Sequence, residues 1–166
     1  MHLTIAAALA VVAALAEFTV VPYLKIGEAT PHPVLVFGVI WAIAGGLEAG
    51  LAWAFVGGLA LDILGQRPLG SSAFSLLIAV GAASVIGGLL SRVRIVAPIV
   101  ATIIASPLYS MLLLAATTAL TTAPLTGAPL EAVVPSAVYD AVLAAIAGPL
   151  AVAVVLRRRE TERVDW

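Results

Sequence analysis

Long apolar stretches, each closed by a proline, a glycine cluster or a charge, divide the chain into six segments. A helix that crosses a bilayer needs about 20 mainly apolar residues, and each segment is read as one crossing. The first runs from His2 to Val21, where Pro22 ends it; the second begins after Pro33 and reaches Gly45-Gly46. The third covers Leu47 to Leu64, the fourth Ser71 to Leu90, the fifth Ile95 to about Leu120, and the sixth Ala132 to Leu156. The first resembles a signal peptide only superficially. Just His2 precedes its core, and Glu17 stands where cleavage would be expected, so it is read as a retained helix.

The second and third segments are short. Val34 to Leu64 supply roughly 30 residues for two passes of about 30 Å each, at about 1.5 Å per residue. Gly45, Gly46 and Gly50 allow a turn between them. Either the bilayer is thinned locally or the two helices are sunk into the bundle; the alternative is a re-entrant hairpin, which is tolerated when protein covers it.

Composition fixes the solvent. Of 166 residues 63% are hydrophobic and only 10% charged, and the mean hydropathy is +1.17. Soluble domains average about 25% charged residues, so this is an all-α integral membrane protein. It has one transmembrane domain, residues 1–156, and a short basic tail, residues 157–166. A net charge of −1 excludes a generally basic nucleic-acid binder, and the lack of cysteine excludes disulfides and thiolate chemistry. Orientation follows the excess of Lys and Arg in cytoplasmic loops. With both termini inside, Arg92, Arg94, Arg157, Arg158, Arg159 and Arg163 lie in the cytoplasm, and only Lys25 and Arg67 lie outside.

Ionisable groups within spans are costly, about 2.5–3.5 kcal/mol at mid-helix. Glu17, Asp62 and Asp140 therefore stand out, and this topology places all three in the outer half of the membrane. They either bind a basic or polar group of a partner, or are spent internally, as in an Asp62–Arg67 ion pair or a protonated carboxyl bonded to a neighbouring helix. His2 and His32 fall outside the apolar core with no acidic partner expected. Glu48 is read as a charge at a helix N-terminus.

Gly57-Gly58, and Ala6, Ala10 and Ala14 at four-residue spacing, are small residues of the kind that let membrane helices approach closely. Pro98, Pro107 and Pro149 are expected inside the fifth and sixth helices as sources of irregularity. No phosphate loop, nucleophile elbow or metal-binding spacing is present, which points away from an enzyme, a cofactor or a metal site.

From Glu48-Ala49-Gly50 through Phe55-Val56-Gly57-Gly58 and Leu61-Asp62-Ile63-Leu64 to Pro68-Leu69-Gly70, the chain resembles the rod shape-determining protein MreD family. The stretch Pro31-His32-Pro33-Val34-Leu35-Val36 resembles that family's approach to its second helix, with Pro-His-Pro where the family usually carries Pro-Asp. The resemblance implies a non-enzymatic subunit of the bacterial elongation machinery in the cytoplasmic membrane. Its implied partners are a bitopic MreC-like protein, a RodA-type glycosyltransferase with a class B penicillin-binding protein, and indirectly MreB. Gly57, Gly58, Asp62, Pro68, Leu69 and Gly70 are the positions carried over. The family is also similar in fold to the S components of energy-coupling-factor vitamin transporters, whose small-residue face the alanine ladder resembles. A solute site needs convergent polar groups. The chain has no asparagine and a single glutamine, Gln66, which disfavours that alternative.

Overall fold

The computed structural model describes residues 2–27, 29–90, 93, 96–121 and 130–163, with side chains described over 4–27, 29–90, 93, 96–121 and 132–151. Every element of this part is helical apart from a single bridge between Ile26 and Ala29. The chain forms α1 (His2–Thr19), α2 (Val21–Leu24), α3 (Pro33–Gly45), α4 (Leu47–Leu64), α5 (Ser71–Leu89), α6 (Ala97–Leu120) and α7 (Leu130–Arg163). Thr30 and His32 before α3, Arg67 before α5, Thr117 late in α6 and Ala132 early in α7 come together at one end of the bundle.

Among the described residues, four helical stretches are long and apolar enough to cross a membrane: Leu47–Leu64, Ser71–Leu89, Ala97–Leu120 and Ala132–Ala151. This is a multi-pass membrane protein. Thr4–Thr19 and Pro33–Gly45 are apolar but shorter. The shortfall expected of two helices falls on α3 alone, whose 13 residues reach about 20 Å. That helix is sunk among the others. Val34, Leu35, Val36, Val39 and Ile40 are buried, and α3 touches α1, α4, α5, α6 and α7. Trp53 of α4 stacks on Trp41 with ring centroids 5.5 Å apart, and its indole N–H donates to the Val34 carbonyl at 2.9 Å.

Small residues set the helix spacing. A Cβ on Gly58 would lie 2.3 Å from the Ala73 Cα, so α4 and α5 touch backbone to backbone. Gly57 faces the other way, toward Val34 and Ala10. Ala6, Ala10 and Ala14 are fully buried, so the alanine ladder packs inside the bundle and is not presented at its surface.

Two readings of the prolines and helix ends need correction. α6 begins at Ala97, which places Pro98 in its first turn, where a missing N–H costs no helical bond. α7 carries Pro135 as well as Pro149 and continues as helix through the arginines to Arg163. The charged run from Arg157 to Arg163 ends the hydrophobic segment but does not oblige the helix to stop.

Candidate functional site

The stretch Thr30-Pro31-His32-Pro33-Val34 begins α3 with an unusual donor inventory. Proline has no N–H, so only Thr30, His32 and Val34 can donate from the backbone here, and each meets a side chain from a distant helix. Thr30 N–H donates to Ser136 Oγ at 3.0 Å, His32 N–H to Asp140 Oδ1 at 2.7 Å, and Val34 N–H to Glu17 Oε2 at 2.9 Å. The first two acceptors belong to α7 and the third to α1. The start of the central helix is thereby clamped from both sides, and its unpaired N-terminal amides meet carboxylates, as the helix dipole favours.

Asp140 does more than cap. Its Oδ2 lies 2.9 Å from His32 Nδ1 and accepts from Ser106 Oγ at 2.6 Å. Asp140 has no exposed surface, while the His32 side chain keeps 19% of its own. Burial alone would lower the His32 pKa, but the hydrogen bond and charge of Asp140, joined by the charge of Glu17, outweigh it. The pKa stands above its ordinary value of 6.5, with Arg67 opposing. The expectation that His32 lacks an acidic partner is therefore wrong. Its partner lies 108 residues away, on a helix whose register no local pattern ties to residue 32.

Asp62 is spent differently. Gly70 N–H donates to its Oδ2 at 2.8 Å, and Ser72 N–H and Ser71 Oγ donate to its Oδ1 at 2.9 and 3.0 Å. The N-cap residue of α5 is Gly70, at φ +96°, with no side chain to cap the helix. The carboxylate of the preceding helix does it instead. Asp62 is wholly buried, and its carboxylate accepts from the start of α5, while Arg67 reaches only its backbone carbonyl, through the Arg67 N–H at 3.0 Å.

The carried-over motif thus divides. Gly57, Gly58 and Asp62 lie inside the bundle, Pro68 and Gly70 shape the α4–α5 turn, and Leu69 projects from it, 71% exposed. Glu17 and Asp140 converge on His32 and the start of α3, whereas Asp62 serves α5. The sequence reading missed His32, Ser106 and Ser136. The alternating prolines were the one local signal that the intervening amides would need outside acceptors.

Beside the clamp, a cavity of about 430 Å³ opens between α6 and α7. Arg67, His32, Tyr109 and Ser136 are among its polar lining, with Thr30, Ser110 and Thr117, and Met111, Leu114 and Val133 are among its apolar walls. The Tyr109 ring meets His32 edge-on, with centroids 5.5 Å apart. Among the described residues no cluster of His, Cys, Asp and Glu is arranged to hold a metal.

No curated protein and no solved structure matches the chain. A family model described as rod shape-determining protein MreD matches residues 1–155.

Proposed function

The chain belongs to the rod shape-determining protein MreD family, and on that premise we propose that it is a non-enzymatic membrane scaffold of the bacterial elongation complex. In this reading it binds an MreC-like bitopic protein and supports side-wall peptidoglycan synthesis by a RodA-type glycosyltransferase and a class B penicillin-binding protein. The family match across 1–155 carries the proposal. Consistent with it, Glu17, Asp62 and Asp140 are committed to holding α3 and α5, and are not aimed together at a substrate.

We take α1 and α3 to complete six spans in the cytoplasmic membrane, with both termini inside. Lys25 and Arg67 flank connections at one end of the bundle, and the α7 arginines lie at the other. Arg92 and Arg94, which also enter the charge argument, lie outside the described residues. The S-component alternative loses one support. A ladder offered to a coupling subunit must face outward, and Ala6, Ala10 and Ala14 have no exposed surface.

The test is affinity capture from native membranes in mild detergent with mass spectrometry. Recovery of a bitopic MreC-like protein with peptidoglycan synthases is expected. Recovery of paired ATPases with a coupling membrane subunit would overturn the scaffold.

A further inference from the structure

The cavity between α6 and α7 shows an uneven distribution of charge. Arg67 and His32 reach its lining, whereas Glu17 and Asp140 do not: Asp140 is bonded to the His32 amide and ring, and Glu17 to the Val34 amide. An occupant therefore meets a guanidinium and an imidazole, with the compensating carboxylates outside the lining. Ser136 Oγ accepts from Thr30 N–H, and its own hydroxyl hydrogen can turn toward the cavity. Away from this polar end the walls are side chains of α6 and α7 such as Met111, Leu114 and Val133, on two helices with membrane-spanning character.

We infer that this cavity binds a phosphate-bearing amphiphile, with its phosphate between Arg67, His32 and Ser136 and its chain between α6 and α7. A guanidinium pairs with phosphate through two parallel hydrogen bonds. Phosphate also keeps a further oxygen for His32 and Ser136, which a carboxylate, with two oxygens, serves less well. The apolar walls require a chain, because a free phosphate would leave them facing water. A volume of about 430 Å³ falls within the roughly 300–1,000 Å³ of small-molecule sites. Protonated His32, favoured by the carboxylates of Asp140 and Glu17, adds to the attraction for an anion.

The test uses the full chain in a maltoside detergent, without any partner, so that it stands apart from the scaffold proposal. Decyl phosphate, decanoate, decyltrimethylammonium and inorganic phosphate are titrated, with binding read by native mass spectrometry and by the shift in unfolding temperature. Decyl phosphate should bind one per chain and tightest of the four. Arg67→Gln should weaken it about tenfold, the loss of one charge-assisted contact. Val133→Phe, which fills the wall without changing charge, should also weaken it. Arg158→Gln, at the other end of α7, should leave it unchanged. If Arg67→Gln lowers the unfolding temperature of the empty protein, Val133→Phe decides. Equal binding of decyltrimethylammonium, binding of inorganic phosphate alone, tighter binding of decanoate, or failure of both cavity variants to weaken decyl phosphate would overturn the site.

Discussion

Asp62 and Asp140 are both fully buried carboxylates in membrane helices, and they are satisfied in opposite ways. Asp62 takes its donors from the next turn and helix, at most ten residues on. The α4–α5 hairpin around it closes until backbones touch at Gly58 and Ala73. Asp140 takes its donors from residues 34 and 108 positions away, and the α6–α7 pair beside it leaves a cavity. The first carboxylate completes a local joint. The second ties three parts of the chain together and leaves a polar surface beside them. Burial alone therefore does not distinguish these two carboxylates; the sequence distance of their donors does.

Removing the long-range acceptor should have the largest effect. Asp140→Ala strands the His32 amide, the His32 ring and the Ser106 hydroxyl. It should cost about 3 kcal/mol, the low end for a broken buried pair because His32 can shed its proton. Thermal unfolding of the full chain in detergent measures this, and a loss below that of Asp62→Asn would reverse the contrast drawn between the two carboxylates.

Overpacking the tight hairpin comes next. Gly58→Ala must push α4 from α5 and should cost about 2 kcal/mol, while Gly81→Ala, with nothing within 4 Å of the added methyl, should be neutral or slightly stabilising. Equal effects would show that the hairpin is looser than its geometry.

Amide replacements sharpen the distinction further. In Asp140→Asn the oxygen can still accept from His32 N–H, while the NH₂ donates to Ser106 and to a neutral His32 Nδ1. The cost should stay below about 1 kcal/mol. In Asp62→Asn one oxygen cannot serve both Gly70 and Ser72, and one backbone N–H faces an NH₂, so about 1–2 kcal/mol is lost.

The smallest effect is one of pH. The His32 pKa is raised in the folded state, so its contribution is fully present below the ordinary value of 6.5 and fades as pH rises through the elevated one. The neighbouring groups are Asp140 on α7, Glu17 on α1, Tyr109 on α6 and Arg67 before α5. As pH rises above the ordinary value of 6.5, the natural chain should lose stability more steeply than Asp140→Asn. Parallel curves would remove His32 as the source.

The sequence made the α4–α5 joint legible because its parts are adjacent. Gly57-Gly58, Asp62 and Pro68-Leu69-Gly70 lie within one short stretch, and Pro33, Gly45-Gly46 and Leu47 mark the same helix boundaries that the structure shows. The clamp on α3 was not legible. Glu17 and Asp140 were singled out for their cost in a membrane, but periodicity cannot say which loop they meet. His32, flanked by prolines outside any apolar segment, reads as a solvent-facing residue until the fold brings α7 beside it.

The alternating prolines at 31 and 33 also bear on the order in which the chain is made. Synthesis runs from the N-terminus, so α3 is in place long before residues 136 and 140 emerge. Until then the Thr30 and His32 amides depend on water. α7 arrives after the other described helices and brings Ser136 and Asp140, so in a ribosome-bound chain ending before Ser136 the start of α3 has only Glu17 of its three side-chain acceptors.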